Sequence, residues 1–122
     1  MATIARNSLP EATLRELLLW LTRRRRRLRV NGASMLPTLA PGDTVLVDPR
    51  AYHGRVPAIG DLVAARHPRQ PDIEIVKRVA VLEASGECYL LSDNPSEGTD
   101  SRSFGAIPQG LILGRVTSRI VA

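Results

Sequence analysis

Lysine occurs once in this chain, at Lys77, beside sixteen arginines. Cysteine also occurs once, at Cys88, which excludes an internal disulfide framework and fits a reducing compartment. The two histidines, His53 and His67, lie far from that cysteine in sequence, so no metal-ligand spacing exists. Neither a metal nor a cofactor is expected. Both histidines read as structural loop residues, and Cys88 as a small core residue in a strand. Aromatics are only 3% of the residues, so the core must be built from Val, Ile, Leu and Ala. Long apolar runs are absent too. Leu17-Leu18-Leu19-Trp20-Leu21 falls far short of the roughly 20 residues that span a bilayer. Nor is a secretory signal expected, because arginines follow the apolar part and no small-residue cleavage site comes next. These absences lead to the expectation of a soluble cytoplasmic protein with one core.

What is present is unevenly placed. The net charge is +5, yet residues 1–30 alone carry eight Arg against two Glu, and the remainder is close to neutral. The division expected is a basic helical arm over 1–29 and a compact body over 30–122. A nucleic-acid role would rest on the arm alone, and none is expected. The run Arg23–Arg27 reads as a solvated helix end that suits the helix dipole, or as a contact with an acidic membrane surface or partner.

Residues 1–9 read as loose. Ser8-Leu9-Pro10-Glu11 is a helix start, with Ser8 as N-cap and proline at the first helical position. Leu14, Leu17, Leu18 and Leu21 recur at helical spacing, which predicts an amphipathic helix from Pro10 to about Arg25. From Leu28 the pattern is strand-like. Strands are predicted at Asp43–Asp48, Asp61–Arg66, Ile73–Leu82, Glu87–Leu91 and Leu111–Val121. They are separated by turn signals such as Pro41-Gly42, Pro71-Asp72 and Ser85-Gly86. Short strands with regular turns and no second helix indicate a mainly β, barrel-like domain.

Two residues stand out chemically. Arginine keeps its proton at any working pH, whereas a buried lysine can lose it. Ile75, Val76 and Val79 around Lys77 would desolvate its ammonium, depress its pKa and leave an amine able to act as general base. Taken alone, Lys77 reads as a strand lysine whose head reaches solvent. Ser34 lies on a bend punctuated by Gly32, Pro37, Pro41 and Gly42. Taken alone, it is a turn residue. Small neighbours at Gly32 and Ala33 would nevertheless let a peptide approach the hydroxyl, and backbone N–H groups at such a bend can stabilise an oxyanion.

Four boxes then decide the reading. Ser34-Met35-Leu36-Pro37-Thr38-Leu39 with Pro41-Gly42-Asp43 resembles the nucleophile box of the signal peptidase I-like Ser–Lys proteases. Gly60-Asp61-Leu62-Val63 resembles their next box, and Val76-Lys77-Arg78-Val79 their lysine box. Ser92-Asp93-Asn94, Asp100-Ser101-Arg102 and Phe104-Gly105 resemble the last. The boxes stand in family order over residues 30–116. Within that family the chain most resembles the soluble proteases that mature nickel-type superoxide dismutase, through His67-Pro68, the run Asp93-Asn94-Pro95-Ser96 and the terminal Ile112–Val116.

The resemblance implies a signal peptidase/LexA-like coiled β-barrel and a serine endopeptidase with a Ser–Lys dyad. Ser34 would be the nucleophile and Lys77 the general base. Gly32, Ala33, Met35 and Ile75 would form the oxyanion and substrate rail, Met35 reading equally as core. Asp93, Asp100 and Arg102 would lock the loop near the lysine. Gly32 falls where the family can carry a serine hydroxyl as second oxyanion donor. The family serine that orients the lysine falls on Gly98, leaving the adjacent Thr99, or packing alone, to support the dyad. Ser92 replaces the usual glycine of Gly-Asp-Asn. The implied partner is a protein substrate with an N-terminal extension, the nickel superoxide dismutase precursor, bound as an added strand. The alternatives are a membrane-surface signal peptidase docked by the Leu14–Leu21 helix and the arginines, and a catalytically impaired peptide-binding module on the same fold.

Overall fold

The computed structural model describes residues 9–120. The Ser8 cap and most of the loose N-terminal stretch therefore lie outside the described residues. Helix α1 spans Leu14–Leu21 and is followed by strands β1 (Arg26–Arg29), β2 (Thr44–Asp48), β3 (Leu62–Arg66), β4 (Glu74–Leu82) and β5 (Cys88–Leu91). A single helical turn, α2 (Ser101–Phe104), and a 3-10 turn at Gln109–Leu111 lead into β6 (Ile112–Ile120). The strands form one antiparallel sheet in the order β1-β2-β6-β3-β4-β5. This is the mainly β fold expected, with α2 as a short second helix that the turn-rich stretch 92–105 did not signal.

Bulges interrupt the pairing at Leu46/Val47, Ala64/Ala65 and Val79/Val81. Bulges bend and twist strands, and the sheet coils far enough that Arg26 on β1 bonds Glu74 on β4 at 2.6 Å, although three strands separate them in the sheet. The two faces hold two apolar clusters. One gathers Val30, Met35, Leu39, Val45, Val47, Leu62, Ala64 and Val76, and the other Val63, Ala65, Val79, Cys88, Leu90 and Ile107. Aliphatic side chains thus fill the interior, as the scarcity of aromatics requires.

The helix is shorter than its periodicity predicts. Its N-cap is Thr13, whose side chain accepts the Glu16 N–H. Residues 10–12 instead run beside β6, with Ala12 N–H donating to the Arg119 carbonyl at 2.7 Å and Arg119 N–H to that of Pro10 at 2.9 Å. At the other end, Arg26–Arg29 pair with Val47–Thr44 as a strand.

The face that α1 turns inward is also unexpected. Glu16 is buried, held by Thr117 Oγ1, by Ser118 Oγ at 3.0 Å and by Arg25 Nε at 3.2 Å. Burial alone would raise its pKa, but these donors outweigh burial and lower it. With the helix pinned by its carboxylate, Leu14, Leu18 and Leu21 point outward at 73%, 51% and 71% exposure.

Candidate active site

Ser34 lies in the bend between β1 and β2, and Lys77 in the middle of β4. Lys77 Nζ is hydrogen-bonded to Ser34 Oγ at 2.7 Å. Lys77 is 4% exposed. Burial pushes its pKa down, against the opposing charges of Asp100 and then Asp93. An amine so depressed, in contact with a hydroxyl, can accept the hydroxyl proton.

The bend is fastened from several sides. Asn94 N–H donates to the Ser34 carbonyl at 2.8 Å and Asn94 Nδ2 to that of Ala33 at 3.1 Å. Thr38 Oγ1 donates to Asp93 Oδ2 at 2.6 Å, and Arg78 grips both oxygens of Asp93 at 3.1 and 2.7 Å. Arg78 also donates to the Gly60 carbonyl at 2.9 Å. The Ser34 N–H enters no hydrogen bond among the described residues. Met35 is buried in the core, and its sulfur accepts the Asp93 N–H at 3.4 Å.

Asp100 caps α2 and is 2% exposed. It accepts from Arg102 Nε and a terminal guanidinium nitrogen at 3.0 and 2.9 Å, from the Arg102 N–H at 3.0 Å, and from the Ser92 N–H at 2.9 Å. Burial would raise its carboxyl, but these donors hold it at about 2. Thr99 is exposed, and its side chain makes no hydrogen bond among the described residues.

A groove of about 140 Å³ runs from this pair, lined by Leu28, Val30, Asn31, Ile73, Ile75 and Val76 among others. Its walls are two strand edges. Among the described residues β1 pairs only with β2, and β4 meets β5 only from Arg78 onward, so residues 74–77 keep one edge unpaired. An extended peptide laid here could hydrogen-bond to both edges. Ile75 lies on the β4 wall, whereas Gly32 and Ala33 join the end of β1 to Ser34 without lining the groove. Gly32 has φ +89°, and a Cβ built there would meet open space.

The other candidates stand apart. His67 Nδ1 accepts the N–H groups of Arg69 and Gln70 in a turn, and its ring packs edge-on against Phe104. His53 is exposed, and Cys88 is buried in the core with its thiol pKa raised by that burial. Sequence reasoning assigned no role to Arg78, Thr38 or Asn94. All three stand inside the boxes that carry the family resemblance, which was the sign available for them.

Residues 16–84, which include Ser34 and Lys77, match the family described as signal peptidase, peptidase S26. The chain belongs to that family. Among its relatives, mitochondrial inner membrane protease subunit 1 of Xenopus tropicalis is 33% identical over 109 residues, covering 74% of this chain and 65% of that protein. The Homo sapiens subunit 1 is 34% identical over 109 residues, covering 74% and 66%. Mitochondrial inner membrane protease subunit 2 of Mus musculus is 30% identical over 110 residues, covering 73% and 63%. The chain thus spans somewhat less than two thirds of the length of these S26 relatives. They are named for a membrane, which overturns the cytoplasmic location expected from composition. Among the described residues no helix is long and apolar enough to cross one.

Proposed function

We propose that this S26 chain is a Ser–Lys endopeptidase that works at a membrane surface on protein substrates of the signal-peptide kind. The observation that carries the reading is the 2.7 Å contact between a buried, pKa-depressed amine and the Ser34 hydroxyl, at the end of a groove with two unpaired strand edges. The substrate lies extended between β1 and β4, presenting its carbonyl carbon to Ser34 Oγ. Lys77 takes the hydroxyl proton as the C–O bond forms, and the Ser34 N–H stabilises the oxyanion, a contribution of roughly 3 kcal/mol per donor. Lys77 then passes that proton to the leaving amine. Water, deprotonated by Lys77, then attacks the acyl ester, and Lys77 returns the proton to Ser34 Oγ as the ester C–O bond breaks. Asp93, Asp100 and Arg102 hold the 92–102 loop against the dyad, outside the chemistry.

The membrane reading rests on the relatives' names and on the outer face of α1. Leu14, Leu18 and Leu21 project from it, with Arg15, Arg23 and Arg24 exposed nearby. Apolar side chains ringed by arginine suit an anionic lipid interface. The narrower expectation, a nickel superoxide dismutase precursor as substrate, has no counterpart in these relatives. The intact Ser34–Lys77 contact also favours an enzyme over a peptide-binding module.

The test is cleavage of a quenched fluorescent peptide carrying alanines before the scissile bond, with and without lipid vesicles. Ser34→Ala, Lys77→Ala and Lys77→Arg should all be inactive, the last although it keeps the charge. Normal cleavage by Lys77→Arg would refute the general-base role.

A further inference from the structure

Lys77 needs more than burial to act on Ser34. Its lone pair must face the hydroxyl, which requires something to hold the amine's own N–H groups. The loop conformation rules out the position where the family carries an orienting serine. Gly98 has φ +69°, and a Cβ built on it would lie 2.8 Å from Ser34 Cβ and 3.8 Å from Lys77 Nζ. A side chain there would displace the serine it was meant to serve. Thr99 faces solvent.

A different hydroxyl fits. Arg78 pairs with Leu91 and Val79 with Leu90. Extending this antiparallel register by one residue past the paired stretch would set Ser92 opposite Lys77. Directly opposed residues share a face of the sheet, with Cβ atoms about 4.5–5.5 Å apart. The packing agrees, since Leu90 and Val79 lie together in one apolar cluster. Ser92 is 7% exposed, and its Oγ is a buried polar atom with no hydrogen-bond partner among the described residues. Burying an unpaired hydroxyl is costly, so each such case calls for an explanation. Its backbone is fixed, because the Ser92 N–H donates to Asp100.

We infer that Ser92 is the positioning residue of the dyad: its hydroxyl, turning about χ1, accepts an N–H of Lys77 and aims the amine at Ser34. Ser92 thereby supplies from β5 the hydroxyl that Gly98 cannot carry. The inference rests on the Ser–Lys reading, whose failure would show separately as cleavage by Ser34→Ala.

Because Lys77 is the only lysine, selective isotope labelling of lysine gives one side-chain NMR signal, and its titration can be followed without any substrate. Charged groups near Lys77 are Asp93 and Asp100, paired with Arg78 and Arg102 respectively, and none of the four changes in the variants. Ser92→Ala should move the Lys77 midpoint to lower pH, because the ammonium loses an acceptor. It should also lower kcat on the fluorescent peptide by about tenfold to a hundredfold, the cost of a misaimed catalytic group, with little change in KM. Ser92→Thr should restore both, and Thr99→Ala should leave both unchanged. A merely structural hydroxyl without a partner would behave otherwise, since its removal leaves the Lys77 titration untouched. Ser92→Gly serves as a second variant should the alanine form melt early. A Lys77 midpoint and kcat in Ser92→Ala and Ser92→Gly within twofold of wild type would overturn the inference.

Discussion

Replacing Asp100 by asparagine should destabilise the protein by an amount that depends on pH in a defined way. The carboxylate is 2% exposed and accepts four hydrogen bonds, three from Arg102 and one from the Ser92 N–H. Its pKa falls from 3.8 to about 2 on folding. At about 1.4 kcal/mol per pKa unit, the ionised carboxylate contributes about 2 kcal/mol at neutral pH. Because the folded value is the lower one, the contribution is complete above 3.8 and is lost as the pH falls through about 2. Asp100→Asn should therefore unfold about 2 kcal/mol more easily at pH 7, equivalent to roughly 8 °C in Tm for a domain of this size. The difference from wild type should shrink between pH 4 and pH 2. Urea unfolding of both proteins across that range measures it. The same substitution removes the larger of the two charges that raise the Lys77 pKa. The acid limb of the kcat/KM profile should accordingly move to lower pH. A destabilisation that stays constant from pH 7 to pH 2 would show that the asparagine acts through lost packing, and would refute the electrostatic account.

Two further outcomes follow from the same geometry. Lys77→Met should unfold less readily than wild type at pH 7 despite being inactive, because burial disfavours the charged amine. Its advantage should fade as the pH approaches 10.5, where lysine loses its charge in the unfolded chain too; a constant difference in urea midpoint would argue against a buried amine. The triple variant Leu14→Ser, Leu18→Ser, Leu21→Ser should lose flotation with anionic phospholipid vesicles while its Tm stays close to wild type, since all three side chains are exposed. Undiminished flotation would remove α1 as the membrane contact.

Five of the six strands were legible because β2 to β6 combine apolar β-branched runs with Gly and Pro turns, and their observed limits fall within a residue of those expected. β1 was not legible. Arg26-Arg27-Leu28-Arg29 has no strand-like apolar face, and it is held by pairing with β2, by the bond from Arg26 to Glu74 and by Arg27 lying over Trp20 at 5.5 Å. The helix was legible but its orientation was not, because one carboxylate, Glu16, overrode a stripe of leucines through bonds to residues some hundred positions away. The site divides in the same manner. Ser34 and Lys77 could be singled out because a lone lysine and an ordered set of boxes are features of the sequence itself. The pairing of Thr38 with Asp93, or the register that sets Leu91 across from Arg78, depends on how distant strands align.

That alignment explains why β4 can carry two adjacent cations with opposite requirements. Side chains alternate along a strand, so Lys77 and Arg78 face opposite sides of the sheet. In the proposed mechanism Lys77 sheds its proton at working pH, whereas Arg78 keeps its own and holds Asp93. Arginine suits the second task because its guanidinium stays charged and can bind both carboxylate oxygens at once. Asp93 and Asp100 are the carboxylates that favour a charged Lys77, and each is engaged by an arginine, Arg78 for one and Arg102 for the other. Burial is nevertheless the larger influence on the amine. A chain with sixteen arginines and one lysine carries its fixed positive charges on arginine and keeps lysine for the buried position beside Ser34.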